Sequence, residues 1–140
     1  MARRWRFRPI DEPTGHRGPA VYKVRLLADG EVQPIARFMG TDRSGILQIG
    51  VSGGFEGRRK QFVSGLARCN GHSEANLLHM LLKQRGFRRR IGRFELEIAF
   101  QAHRTKQAAV RAEETLIRAY LHRFGEVPPL NTAIPNRYGG

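Results

Sequence analysis

The stretch FELEIAFQAHRTKQAAVRAEETLIRAYLHRFG, residues 94–125, decides the fold class. Its first seven residues alternate. Phe94, Leu96, Ile98 and Phe100 face one way, and Glu95, Glu97 and Ala99 the other. That period of two predicts a half-buried strand over Phe94–Phe100. The period then changes. From Thr105 to Phe124 apolar residues recur every three or four positions, at Ala109, Ala112, Leu116, Ile117, Tyr120 and Phe124. They form one face of an amphipathic helix, ended by Gly125 and Pro128-Pro129.

The elements upstream extend this reading. Ala20–Leu27 alternates as a strand, and Ala28-Asp29-Gly30 is a turn signal. Ile35–Met39 and Ile46–Val51 are two shorter strands, expected to pair as a hairpin across Asp42-Arg43-Ser44-Gly45. Ser52-Gly53-Gly54 opens a helix over Phe55–Ala67, with Phe55, Phe62, Val63 and Leu66 as its buried stripe. Ser73 caps a second helix with the stripe Ala75, Leu78, Leu81 and Leu82, stopped at Gly86. Strands first, then helices, a strand and a helix give an α+β fold: a small, three-stranded, mainly antiparallel sheet flanked by about three helices.

Composition narrows the function. The 140 residues suit one domain. Twenty-five Lys+Arg against 12 Asp+Glu give a net charge of +13, and 21 of those cations are Arg. The guanidinium is a planar fork that matches phosphate and stays charged. A chain this basic calls for an anionic partner, nucleic acid before an acidic membrane surface. One cysteine, Cys69, excludes a disulfide scaffold. Cys69 and His72 have chelating spacing, but His79 and His103 are scattered and form no second pair, so zinc is not expected. No apolar run approaches the length of a membrane span. A soluble, cytoplasmic protein is expected, with no membrane partner.

Residues 1–18 read as a basic N-terminal arm, with Arg3, Arg4, Arg6 and Arg8 interleaved with Trp5 and Phe7. Residues 19–132 form the domain and 133–140 a tail. Arg85, Arg88, Arg89, Arg90 and Arg93 make a second basic patch, just before the strand at Phe94. Both patches, with Arg59 and Lys60, are expected to contact phosphate.

One carboxylate is out of place. At 100° per residue Glu113 falls in the middle of the apolar stripe of the last helix, whereas Glu114 points more than a quarter turn away. A carboxylate against a core is costly unless a cation meets it. That cation is either a metal ion or an arginine, for instance Arg58 or Arg59.

Together these residues resemble the GIY-YIG nuclease family. Ala20-Val21-Tyr22, with Gly18 upstream, is similar to the first motif, and Gln48-Ile49-Gly50 to the second. Val51 to Arg58 keeps the family's spacing to its helix arginine. Glu113 to Ile117 resembles the metal-binding glutamate with its Leu-Ile pair, and Pro129-Leu130-Asn131 the terminal Pro-x-Asn. The resemblance spans about residues 18–132. It implies a DNA endonuclease that hydrolyses phosphodiester bonds with one divalent cation, Mg²⁺ or Mn²⁺, held by Glu113. It further implies that Arg58 neutralises charge on the phosphate, that Tyr22 activates or positions water, and that Asn131 supports the site.

Two positions depart from the pattern. Gln48 stands where the family's second tyrosine sits, and its amide cannot act as a base. Phe62 stands where many members carry His or Tyr. A catalytically inactive nucleic-acid-binding module on the same scaffold is therefore the alternative. The partner is DNA ahead of RNA. No second domain, zinc finger or helix-turn-helix pattern is visible, so single-stranded, branched and duplex substrates all stay open, as does specificity borrowed from a partner or from a homodimer.

Overall fold

A computed structural model describes residues 4–68, 78, 83–84 and 93–131. The chain is α+β, with an antiparallel sheet and, among the described residues, two helices. The elements are β1 (Arg8–Pro9), β2 (Ala20–Ala28), β3 (Glu31–Val32), β4 (Ile35–Arg37), β5 (Gly40–Asp42), β6 (Ile46–Ser52), α1 (Phe55–Arg68), β7 (Phe94–Ala102) and α2 (Lys106–Phe124). The helix expected after Ser73 lies outside the described residues, apart from Leu78, which is helical and buried.

β2 is the spine. It pairs antiparallel with β7 over nine positions, from Ala20 opposite Ala102 to Ala28 opposite Phe94. Its other edge pairs with β6, from Ala20 opposite Ser52 to Arg25 opposite Ile46, with a bulge between Val24 and Arg25. The extra residue there is Leu47, which turns into the core beneath α1. Short pieces widen the three-stranded sheet to five, because β3 adds to β2 and β1 adds to β7.

The sheet separates two cores. Ala20, Tyr22, Val24 and Leu26 of β2 pack with Leu96 and Ile98 of β7, Phe55 and Phe62 of α1, and Leu130. Val21 of β2 and Ile46 and Ile49 of β6 pack with Ile117, Tyr120 and Phe124 of α2. Alternation along β2 alone sends its residues to opposite helices.

The ends of α2 explain its length. Thr105 is its N-cap, accepting a hydrogen bond from the Ala108 amide at 3.0 Å. Gly125 follows at φ 73°, a left-handed conformation that favours glycine, and its N–H donates to the Leu121 carbonyl. His122 and Arg123 place positive charge beside the last carbonyls. No described helix is long and apolar enough to cross a membrane.

One expectation is corrected. Ile35–Arg37 pairs not with β6 but with Gly40–Asp42, in a separate two-stranded hairpin that turns at Phe38-Met39. The edge of β6 is taken instead by the segment after α2, where the Leu130 N–H donates to the Leu47 carbonyl. Asp42 fixes the next turn, accepting from the Ser44 and Ile46 amides. Residues of the arm also pack on the sheet. Trp5 and Phe7 pack beside the α2-side core, β1 joins the sheet, and Ile10 is buried under α1.

Candidate active site

Tyr22 and Gly50 are register partners on the α1 side of the sheet. The Tyr22 ring covers Gly50 so closely that a Cβ at position 50 would collide with it. Glycine is required there by close approach. Tyr22 is 2 % exposed and also meets the Phe55 ring, with centroids 5.8 Å apart. Gln48 lies opposite Val24 on the same side, buried, and among the described residues its Oε1 has no hydrogen-bond partner. A buried carbonyl oxygen left unpaired is costly, so Gln48 is a ready acceptor for a water. Phe62 is a core residue of the same side.

Asn131 serves the backbone of the second motif. Its Nδ2 donates to the Ile49 carbonyl and its Oδ1 accepts from the Ile49 amide, both at 2.9 Å. The side chain thus continues the sheet for one residue, between Gln48 and Gly50. This is a positioning contact, made to the backbone between the two residues of the second motif.

Arg58 and Arg59 are neighbours with different environments. Arg58 lines a cleft of about 360 Å³ together with Val51, Ser52, Gly53, Gly54, Gln61 and Lys106. Its Nη1 reaches Gln61 Oε1 at 3.5 Å, while its Nε is buried without a hydrogen-bond partner among the described residues. The first two amides of α1 are not available to a ligand: Phe55 donates to the Gly18 carbonyl and Glu56 to the His16 carbonyl. Positive charge in the cleft therefore comes from Arg58 and Lys106.

Arg59 is 4 % exposed. It holds Glu56 through two bonds of 2.9 Å and donates to the Ile10 carbonyl at 2.8 Å. Glu56 also accepts from the Thr14 hydroxyl and amide. The Arg59 guanidinium, with Thr14, holds the Glu56 carboxyl down at about 2, against the opposing effect of burial. This pair sews the arm to α1. Arg59, expected to contact phosphate, is instead buried, with three of its five N–H donors engaged inside the protein.

Glu113 is 9 % exposed and lies on the buried face of α2 with Ala109, Ile117, Tyr120 and Phe124, as helical spacing predicts. Glu114 is half-buried. Glu113 comes from the α2 side of the sheet and Tyr22 from the α1 side, so the sheet does not bring these two onto one face. It is the start of α2 that reaches the Arg58 cleft, through Lys106. Lys106 and Glu113 are two helical turns apart, about 10 Å along the axis, on nearly the same side of the helix.

Of the expected phosphate contacts, Arg4, Arg6, Lys60 and Arg93 are exposed. Arg3, Arg85, Arg88, Arg89 and Arg90 lie outside the described residues, as do Cys69, His72 and His79. Among the described residues no three His, Cys, Asp or Glu side chains gather as a ready metal cage. A lone carboxylate still suits Mg²⁺, which keeps several waters and takes one or two carboxylates plus phosphate oxygens.

Sequence reasoning missed a network on the α2 side. Asp42 is 1 % exposed and accepts from the Tyr120 hydroxyl at 2.9 Å, from the Ser44 hydroxyl, and from the Ser44 and Ile46 amides. Burial raises the Tyr120 phenol well above its ordinary range, and the Asp42 carboxylate adds to the effect. The only local signal was an Asp two residues before a Ser in a turn. Lys23, on the same side, sits 4.5 Å from the Trp5 ring centroid, and burial lowers its pKa. Arg25 is bound to Glu97 and lies 3.9 Å from the Phe7 ring centroid. No family model, no curated protein and no solved structure matches this chain.

Proposed function

We propose that this chain is a metal-dependent DNA endonuclease in which Glu113 is the carboxylate ligand of one divalent cation. One observation carries the reading. In a chain of net charge +13, a carboxylate nine-tenths buried sits in the apolar face of the helix whose first turn lines the Arg58 cleft. A carboxylate in that setting needs cations or hydrogen-bond donors around it, and in this reading a divalent cation is one of them. The GIY-YIG resemblance selects the same residue. Mg²⁺ or Mn²⁺ bound there would polarise the phosphate and stabilise the leaving oxygen.

The chain's own groups have separable tasks in this reading. Arg58 presents a permanent positive charge to the phosphate, with the donor capacity of its Nε unspent. Lys106 adds a second positive charge at the cleft. Gln48, on the α1 side of the sheet, has an acceptor for a water, and Tyr22 beside Gly50 on that side is the residue the resemblance names for orienting one. Asn131 keeps the Gln48–Gly50 backbone in place.

A second reading, nucleic-acid binding without cutting, is favoured by the burial of Tyr22 on the sheet side opposite α2. Labelled single-stranded, duplex and flapped DNA at low salt, with Mg²⁺ and Mn²⁺, separates the two. Wild type is expected to cut, Glu113→Gln to lose cutting while still binding, and Arg58→Ala to fall by about 10²–10³. Undiminished cutting by Glu113→Gln would remove Glu113 from the mechanism. Binding without cutting by wild type would select the second reading.

A further inference from the structure

Two large apolar side chains among the described residues face solvent, and they are adjacent: Phe38 is 81 % and Met39 63 % exposed. They form the tip between β4 and β5, with Arg37 opposite Gly40. The tip is firmly held from below. The Met39 N–H donates to the Phe124 carbonyl at 2.9 Å, and Arg37 donates to the Val127 carbonyl and pairs with Glu126 at 3.0 Å. Both side chains lean on Gly125, where a Cβ would stand 3.0 Å from Phe38 Cδ1 and 2.8 Å from Met39 Cγ. Gly125 is thus needed for this contact as well as for its φ.

Cations stand in a cleft that shares Thr41 of β5 with the hairpin and Phe124 of α2 with the support of its tip. Arg43, on the turn after β5, and Arg123, on α2 two residues before Gly125, line this cleft of about 380 Å³ with Lys23. The acidic side chain of that cleft, Asp42, has its carboxylate engaged by Ser44, Ile46 and Tyr120. An exposed aromatic tip and a cleft carrying guanidinium groups at the other end of the same hairpin fit an extended partner that is flat and apolar in one part and anionic in the next. A nucleic-acid strand meets both requirements, with its base on the ring and its phosphate at the arginines.

We infer that the Phe38-Met39 tip is a stacking platform for an unpaired base of a DNA strand, with Arg43 and Arg123 holding the adjoining phosphates. This rests on the nucleic-acid reading above and extends it to a second contact, away from the Arg58 cleft. It also gives the chain a preference for strands with unpaired bases over fully paired duplex.

The test uses the full chain in EDTA, so that no cutting occurs, and a single-stranded oligonucleotide carrying 2-aminopurine. Phe38→Ala is expected to weaken binding about tenfold and to abolish the fluorescence change on binding. Its salt slope is expected to stay that of wild type, since no phosphate contact is lost, whereas Arg43→Gln is expected to lower the slope. Phe38→Tyr should restore the signal. Wild-type affinity and signal in Phe38→Ala would overturn the platform and leave the nucleic-acid reading standing. A wild-type dimer that sediments as a monomer after Phe38→Asp, with DNA binding unchanged, would overturn it in favour of self-association. Absence of DNA binding by wild type would overturn both.

Discussion

The two sides of the central sheet solve different problems with alternate residues of one strand. On the α1 side, Ala20, Tyr22, Val24 and Leu26 meet Phe55, Phe62 and Leu130 in a continuous apolar core. The polar exceptions are Gln48 and the Glu56–Arg59 pair at its edge. On the α2 side, Val21 alternates with Lys23 and Arg25, and charges lie beneath and beside the helix: Asp42, Glu113, Glu97. There Lys23 meets the Trp5 ring, Arg25 meets Glu97 and the Phe7 ring, and Asp42 meets a set of donors. The contrast places the continuous apolar core on the α1 side and most of the buried and half-buried charge on the α2 side.

The largest expected effect tests the first half of that assignment. Phe62→Ala deletes a ring that is 1 % exposed and should cost about 3–5 kcal/mol in denaturant unfolding. A smaller cost than that of Asp42→Ala would break the comparison. Asp42→Ala removes one acceptor from four donors on the α2 side, including the Tyr120 hydroxyl and the Ile46 amide. Its expected cost is about 3 kcal/mol, because buried donors are left unpaired. The Tyr120 phenol should then titrate closer to its ordinary range, which absorbance at alkaline pH would report.

The smallest effect concerns the ionic pair on the apolar side. The Glu56 carboxyl is held at about 2, below its ordinary 4.5. The unfolded chain therefore binds this proton first as pH falls. The pair's contribution is complete above about pH 4.5 and is lost progressively toward pH 2. Thermal melts of wild type should show that slope. Glu56→Gln should flatten it, and an unchanged slope would mean that other carboxylates dominate the acid limb.

The strands and α2 were legible because their signals are local. The alternation over Phe94–Phe100 and the stripe from Ala109 to Phe124 each depend on neighbours within one element, and Thr105 and Gly125 mark its ends. The burial of Glu113 was legible for the same reason, since helix geometry alone puts it on the apolar face. The hairpin partner of Ile35–Arg37 was not. Either register satisfied the local pattern, and the choice depended on Leu130 and Asn131 taking the edge of β6 from more than eighty residues away.

By itself the sequence determined the fold class, the central strands, both ends of α2, the buried carboxylate and the net charge of +13. Each of these follows from the period of a single element or from summed charge. Only the tertiary structure decided which of two adjacent arginines lines a cleft. Arg58 and Arg59 are identical in type and one residue apart, but a step of 100° around α1 turns Arg59 toward Glu56 and the Ile10 carbonyl and leaves Arg58 at the cleft. What surrounds a side chain is set by distant segments, and no local pattern in the chain encodes it.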